Sequence, residues 1–336
     1  MDAQRLERFR QYFNRQKASL GEWMASVSPL DSERGRQAAS LLTNLDTALT
    51  RMDKGEFGVC QDCGGECESP RERWRLINDP TSQICLDCIS EAEKRRLEQE
   101  LNLAKEVQLS LLPQRAPTLP GSQVVFFSRP ASVVTGDYYD FLQWQGRNDL
   151  GIVVGDVMGK GLPAGLMMSN LQACLKAMTM GAPPRPGELL AKVNTLVFHN
   201  IQLNKIVSLF YAHVDPVRAT LSYANAGHPP AFLFRDGEPL RLGATGILLG
   251  VHGDSAYQEQ EIPLERGDLL LAYTDGLSDV PNTTGEFFAE EQLISLVRKH
   301  RDLPCEEIAS QVLSELEQFG PDLPLLDDLT LVFFRY

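Results

Sequence analysis

Five short polar motifs lie beside apolar runs in the C-terminal two thirds of the chain, and four of them carry aspartates. They are Thr135-Gly136-Asp137-Tyr138-Tyr139-Asp140, Gly155-Asp156-Val157-Met158-Gly159-Lys160-Gly161, Asn225-Ala226-Gly227-His228-Pro229-Pro230, Tyr273-Thr274-Asp275-Gly276-Leu277 and Asp327-Asp328-Leu329-Thr330. A single such aspartate is ordinarily a turn residue or a helix cap. Several carboxylates buried together need a cation to neutralise them, and hard oxygen ligands favour Mg(II) or Mn(II) over zinc. The ordered set therefore predicts a metal centre.

Four of the seven cysteines form two CxxC pairs. Cys60 and Cys63 make the first pair, Cys85 and Cys88 make the second, and residues 64–84 separate them. Each CxxC turn can supply two thiolates, and four thiolates complete a tetrahedral zinc site that leaves no position for catalysis. A redox CxxC would need one pair beside a thioredoxin-like βαβ pattern, which the sequence lacks. We therefore predict one structural Zn(II) ion.

The aspartate motifs require strands that end close together. Apolar runs typical of strands occur at 124–127, 151–154, 207–214, 219–224, 231–234, 269–273 and 329–334,. Helical periodicity occupies 162–180, 186–200, 289–300 and 304–319,. Strands that are interrupted by a helical pair and closed by a final strand favour an α+β sandwich over a βαβ array.

The N-terminal third of the chain has a helical pattern instead. Apolar residues recur at helical spacing as far as Met52, with a break near residues 28–31, which predicts a helical hairpin ahead of the cysteine segment,. We predict a helical zinc module at residues 1–89, a linker helix at 90–113 and a catalytic domain at 114–336.

The linker helix carries a mostly apolar seam, which stops before Pro113. Its residues are Leu97, Leu101, Ala104, Gln108 and Leu111. Steps of four and three residues place them on one side of a helix, and such a seam needs a partner. We expect this helix to pair with its copy in a homodimer or to pack on the core, and to transmit the state of the N-terminal module to the metal site.

The cysteine segment resembles the zinc finger of the DksA/TraR family. The resemblance covers roughly residues 31–96 and rests on Ala48-Leu49-Thr50-Arg51-Met52, on Gly55 to Gly64, and on Arg75-Leu76, Asp79-Pro80 and Cys85-Leu86-Asp87-Cys88. In that family a long coiled coil enters the secondary channel of RNA polymerase. The resemblance therefore implies RNA polymerase as one partner. The hairpin of this chain is short, however, which argues against RNA polymerase binding by this chain.

The aspartate motifs resemble those of the PPM-type metal-dependent serine/threonine phosphatases, in the bacterial SpoIIE/RsbU branch. The resemblance runs from about Leu101 to Tyr336 and includes Ala104-Lys105-Glu106-Val107-Gln108 and Leu111-Leu112-Pro113 of the linker helix. It implies an α+β fold, a PPM-type β-sandwich flanked by helices with a dinuclear Mn(II) or Mg(II) site at one end. In this chain the helical zinc-finger module and the linker helix would precede that sandwich.

The resemblance also implies roles for individual residues. Asp156 would bridge the two metal ions and the carbonyl of Val157 would bind one of them. The metal shell would be completed by Asp137, Asp275 and Asp327, with Asp328 supporting it from outside. A water activated between the two ions would attack phosphorus in line, so no covalent enzyme nucleophile is needed.

Two further residues have two interpretations each. His228 is either a general acid for the leaving serine oxygen, because imidazole titrates near neutrality, or a structural histidine of its turn. Lys160 either contacts the substrate phosphate or is a solvated loop lysine. The sequence does not choose between these interpretations.

Composition and charge set outer limits on function. With 336 residues the chain is long enough for about two domains, and its 43% hydrophobic and 23% charged residues exclude a collagen-like or wholly disordered protein,. A net charge of −13 argues against direct DNA binding,. We found no secretory pattern and no apolar run of membrane-spanning length, so we expect a cytoplasmic protein without a membrane partner.

Two functions remain to be compared. The first is a phosphatase acting on phosphoserine or phosphothreonine of a regulatory protein. In the branch that the chain resembles, this protein is commonly a phosphorylated STAS-type anti-sigma-factor antagonist in a partner-switching pathway. The alternative is a binding protein whose zinc module docks on RNA polymerase or another protein, with a silent phosphatase core. Phosphate release by residues 101–336 alone in Mn(II) would separate them.

Overall fold

The computed structural model describes residues 3–26, 33–66, 69–88, 91–200, 206–236, 238–321 and 325–336. The chain divides into two compact units, the first ending at Leu103 and the second beginning at Ala104. This division falls inside the predicted linker 90–113. None of the described helices is both long and apolar enough to span a membrane.

The first unit is helical. Its elements are α1 (Ala3–Ser26), α2 (Glu33–Asp53), α3 (Pro70–Asn78), a single 3-10 turn (Leu86–Cys88) and the start of α4 (Glu91–Leu111). Helices α1 and α2 pack against each other as the predicted hairpin, while the predicted break at residues 28–31 lies outside the described residues. Phe57 packs its ring 5.5 Å from Phe9 and 5.8 Å from Phe13, which holds the start of the cysteine segment on α1,.

Local signals explain how the cysteine segment folds. Helix α3 begins with Pro70, and the side chain of Ser69 caps it by accepting a hydrogen bond from the Glu72 N–H,. Arg51, near the end of α2, is buried and donates to the carbonyls of Ser82 and Glu56. The cysteine segment is therefore fastened to the hairpin by a buried guanidinium as well as by apolar contacts.

The second unit contains two five-stranded antiparallel sheets. The strands are β1 (Gln123–Arg129), β2 (Asp137–Gln143), β3 (Leu150–Val157), β4 (Val207–Asp215), β5 (Thr220–Ala226), β6 (Ala231–Phe234), β7 (Leu240–Leu242), β8 (Gln260–Pro263), β9 (Leu269–Tyr273) and β10 (Leu329–Arg335). One sheet has the order β1-β10-β9-β6-β7 and the other has the order β2-β3-β4-β5-β8. The expected α+β sandwich is confirmed.

Helices cover the outer face of each sheet. Helices α5 (Leu162–Met178) and α6 (Pro186–Asn200) pack on the sheet of β2 to β5, and α7 (Glu290–His300) and α8 (Cys305–Phe319) belong to the layer on the other sheet. Every residue of β9 is buried, as expected for a strand covered on both faces,. The aspartate motifs lie at the ends of these buried strands.

Candidate active site

The sandwich brings the predicted aspartates together from both sheets. Asp137 is the first residue of β2 and stands directly opposite Asp156 of β3 in the antiparallel register. Asp275 follows the end of β9, and Asp327 with Asp328 precede the neighbouring strand β10. Four segments that are distant in sequence therefore contribute carboxylates to one region.

A glycine allows the two segments of the second sheet to meet. A Cβ atom on Gly276 would lie 2.0 Å from the carbonyl oxygen of Asp328, closer than any side chain tolerates. The Thr274 N–H also donates to the carbonyl of Thr330 at 3.1 Å. The Asp-Gly pair after β9 is thus required for Asp275 to approach Asp327 and Asp328.

Neutral donors hold two of the aspartates. Asp137 is 1% exposed, and its Oδ2 accepts hydrogen bonds from the hydroxyls of Thr274 at 2.8 Å and Thr330 at 2.6 Å. Asp328 accepts from the backbone N–H groups of Ala131 and Gly136, both at 2.7 Å. These contacts tie the loop before β2 to the start of β10.

The electrostatics of the cluster are those of a cation site. Burial, followed by the charges of Asp156 and Asp328, holds the pKa of Asp137 well above its usual value. Burial, followed by Asp275 and Asp327, does the same to the pKa of Asp156. Burial also raises the pKa of Asp328, although its two backbone donors oppose the effect. Negative charge here is costly until a cation neutralises it.

The candidate ligand atoms at this site suit divalent cations that prefer oxygen ligands. Carboxylates and a backbone carbonyl are the ligands that Mg(II) and Mn(II) favour. No three of these carboxylates bring ligand oxygens within 4.8 Å of one another, unlike the cysteine sulfurs of the first unit. A site for two ions on these carboxylates therefore stays a prediction.

The loop after β3 carries two more of the predicted residues. Val157 is fully buried and its N–H donates to the Gly136 carbonyl at 3.3 Å, which joins this loop to the loop before β2. Lys160 places its Nζ 3.0 Å from Asp327 Oδ2 and also donates to the carbonyl of Leu326. Lys160 is therefore not a solvated lysine, and its contact with substrate phosphate stays a prediction.

His228 lies inside the protein rather than at an open surface. It is 4% exposed, and its Nδ1 is 2.7 Å from the hydroxyl of Ser208. Burial lowers the pKa of His228 to about 3, against a smaller raising effect of the Tyr273 backbone. A ring with so low a pKa is neutral near pH 7 and carries no imidazolium proton for a leaving group. The geometry favours the structural interpretation over the general acid.

The four cysteines form a compact cluster within the first unit. Their sulfurs all lie within 4.8 Å of one another, with Cys60 to Cys88 at 3.7 Å and Cys63 to Cys85 at 3.6 Å. Four thiolates at about 2.3 Å from a central zinc ion would be about 3.8 Å apart. Backbone N–H groups of Cys63 and Cys85 lower the pKa of Cys60 to about 6. The cluster has the dimensions of a zinc site.

Gln108 of α4 makes contacts that the sequence did not predict. Its amide Nε2 donates to the Thr135 carbonyl at 2.8 Å, and its Oε1 accepts from the Thr135 N–H at 2.8 Å. Nε2 also lies 3.3 Å from the carbonyl of Gly165 in α5. The sequence did indicate such a contact, because a glutamine within an apolar seam is buried only where its amide finds hydrogen-bond partners. The end of the linker helix is thereby fastened two residues before Asp137.

Comparison with known proteins identifies relatives of the second unit. The family model described as stage II sporulation protein E (SpoIIE) matches residues 146–336. Phosphoserine phosphatase RsbU of Bacillus subtilis is 28% identical over 244 residues, which are 72% of this chain and 71% of RsbU. Phosphoserine phosphatase RsbP of the same organism is 28% identical over 67% of this chain and 54% of RsbP.

A solved structure supports the same fold. The SiaA-PP2C domain of Pseudomonas aeruginosa superposes with a TM-score of 0.67 at 24% identity, over 74% of this chain and 100% of that domain. At this identity the likeness bears on the fold, which agrees with the two antiparallel sheets and their helices. The cysteine cluster and hairpin lie outside the residues that the family model matches.

Proposed function

We propose, on the premise that this chain belongs to the SpoIIE family, that it removes phosphate from phosphoserine or phosphothreonine of a regulatory protein. As a member of that family it is a PPM-type protein serine/threonine phosphatase. The observation that carries the proposal is the convergence of Asp137, Asp156, Asp275, Asp327 and Asp328 at strand ends from both sheets, with the pKa values of three of them raised.

The residues have distinct proposed tasks. Asp156 would lie between two Mn(II) or Mg(II) ions, the Val157 carbonyl would bind one of them, and Asp137, Asp275 and Asp327 would complete the site. Asp328 binds backbone N–H groups with both oxygens, which fits a supporting role outside the metal shell. Two such ions, when bound, supply an acidified water and offset charge on the phosphoryl oxygens.

The regulatory substrate that we propose is a phosphorylated STAS-type anti-sigma-factor antagonist. RsbU and RsbP are both phosphoserine phosphatases and are similar to this chain over about two thirds of its length. Since catalysis of this kind needs no enzyme nucleophile, substrate choice would depend on the surface around the aspartates. We place the protein in a partner-switching pathway on this basis.

The test of the activity is phosphate release by the full chain. The substrates are p-nitrophenyl phosphate and a phosphoserine STAS protein, each with Mn(II) and with chelator. We expect turnover that needs Mn(II) and is lost in Asp156→Asn and Asp275→Asn. Asp302→Asn, whose side chain is 93% exposed, is the matched control and should keep full activity. Because a chelator also removes zinc, the aspartate variants decide the result. Turnover that survives in both of them would contradict the proposed site.

For the first unit we propose a DksA/TraR-like finger with one structural Zn(II) on Cys60, Cys63, Cys85 and Cys88. The sulfur distances support it, and reduced thiolates are typical of the cytoplasm, which favours that location,. The finger would serve as an input or docking module. Copurification of RNA polymerase with the full chain, but not with Cys60→Ser, would instead support the binding alternative.

The linker helix is proposed to connect that input with the active site and to form a homodimer. Its exposed apolar residues include Leu97, Leu103 and Val107, at 48%, 63% and 56% exposure. Leu103 and Val107 are four residues apart and so lie on one side of α4. Gln108 is meanwhile fastened to the loop before Asp137. A change in how α4 is paired could therefore reach the metal site.

A further inference from the structure

The candidate metal ligands continue into a row of side chains across three strands. Asp137 of β2 stands opposite Asp156 of β3, and Asp156 stands opposite Ser208 of β4. Directly opposed residues of antiparallel strands project from the same face, with Cβ atoms about 4.5–5.5 Å apart. Ser208 is therefore the neighbour of Asp156 on the side away from Asp137.

A rigid turn presents His228 to this serine. Asn225, which is fully buried, accepts the His228 N–H at 2.8 Å with its side-chain oxygen and donates to the His228 carbonyl at 3.2 Å. Gly227 adopts a φ of +65°, and a Cβ atom there would lie 2.8 Å from Leu248. The motif Asn-Ala-Gly-His is thus explained as a turn that fixes one imidazole ring.

The fixed ring contacts the candidate site through Ser208. Its Nδ1 is 2.7 Å from Ser208 Oγ, and its Nε2 is buried without a hydrogen-bond partner among the described residues. A serine hydroxyl has one proton and two lone pairs. With the proton of the neutral ring on Nδ1, the ring donates to Ser208 Oγ, and the hydroxyl proton of Ser208 is left to donate to the carboxylate of Asp156.

We propose that Ser208 and His228 form a positioning pair, in which His228 fixes the Ser208 hydroxyl and that hydroxyl orients the Asp156 carboxylate for divalent cations. The inference rests on the proposed phosphatase site and adds two residues to it. Groups that orient metal ligands typically change metal affinity or activity by about 10–100-fold when removed. His228 acts through Ser208 and is not a catalytic residue.

The test is the affinity of the full-length chain for Mn(II), measured by titration calorimetry. We expect Ser208→Ala to bind Mn(II) about tenfold more weakly, and Ser208→Thr, which keeps the hydroxyl, to restore binding. His228→Asn should weaken binding similarly, and the Ser208→Ala/His228→Asn double variant should be no worse than Ser208→Ala alone. Excess Mn(II) should restore kcat in Ser208→Ala without a change in KM for the phosphoprotein.

The controls separate positioning from stability and from failure of the site itself. Ser222→Ala removes another buried serine of the same sheet and should bind Mn(II) as the wild type does. A Ser208→Ala variant that melts lower but binds Mn(II) normally would overturn the inference, and so would a failure of threonine to restore binding. If the wild type bound no more Mn(II) than Asp156→Asn, the proposed function would fail, and this inference with it.

Discussion

Replacing Gln108 by alanine should release the end of the linker helix from the phosphatase unit. The change removes the hydrogen bonds to the Thr135 carbonyl and N–H, both at 2.8 Å, and the longer contact to Gly165. Thr135 is 1% exposed, so its two backbone groups lose partners away from solvent. An unsatisfied buried polar group costs about 1–3 kcal/mol.

The expected effect is large enough to measure. With two backbone groups affected and partial entry of water, we expect a loss of about 2–4 kcal/mol in the free energy of unfolding. For a unit of this size each 1 kcal/mol lowers Tm by about 2–4 °C, so the transition of the second unit should fall by about 5–15 °C. Differential scanning calorimetry of the full chain reports this value.

The same variant should affect the metal site. Asp137 donates its N–H to the Thr135 hydroxyl at 3.0 Å, so a displaced Thr135 also displaces a proposed ligand. We expect Gln108→Ala to need more Mn(II) for half-maximal phosphate release. Gln114→Ala is the matched control, because Gln114 is exposed and bonds only to carbonyls of its own helix end among the contacts described. Equal Tm and equal Mn(II) requirement in the two variants would refute the reasoning.

Three further predictions concern the carboxylates, the zinc cluster and the linker. Because the native pKa values of Asp137 and Asp156 are raised, the metal-free native state binds more protons than the unfolded chain above about pH 4. The Tm of the metal-free protein should therefore fall as pH rises towards neutrality and recover with Mn(II). Metal-free Asp156→Asn should melt higher than the metal-free wild type at pH 7. A Tm that does not change with pH would contradict the raised pKa values. Elemental analysis should find one zinc per chain, lost in Cys60→Ser and kept in Cys174→Ser. Leu103→Glu, on the exposed side of α4, should change the sedimentation coefficient, and Leu101→Glu, in the seam that carries Gln108, should change the turnover number. No change in either would exclude transmission through the linker helix.

The sequence predicts most strands, because a strand that is covered on both faces is apolar along its length. It misses β2. Residues 137–143 contain two aspartates and therefore do not have the apolar pattern of a buried strand, yet all but the last are buried. Asp140 is tolerated there because Lys176 at 2.6 Å, the Tyr138 hydroxyl at 2.6 Å and the Phe141 N–H at 2.7 Å neutralise or satisfy it. These partners come from tertiary packing, and no local pattern reveals them. The short strands β7 and β8 are missed because most of their residues are exposed and give no apolar run.

The site itself could be predicted only as a set of candidates, because spacing along the chain does not say which carboxylates meet. The register of β2 with β3 and the close approach of Gly276 to Asp328 decide that. Five mutually repelling carboxylates would separate unless other groups held them. Threonine hydroxyls on Asp137 and backbone N–H groups on Asp328 do so without adding positive charge, whereas Lys160 alone among the named contacts brings a cation, to Asp327. Since neutral donors fix the proposed ligands but leave most of their charge uncompensated, we expect divalent cations to stabilise the fold.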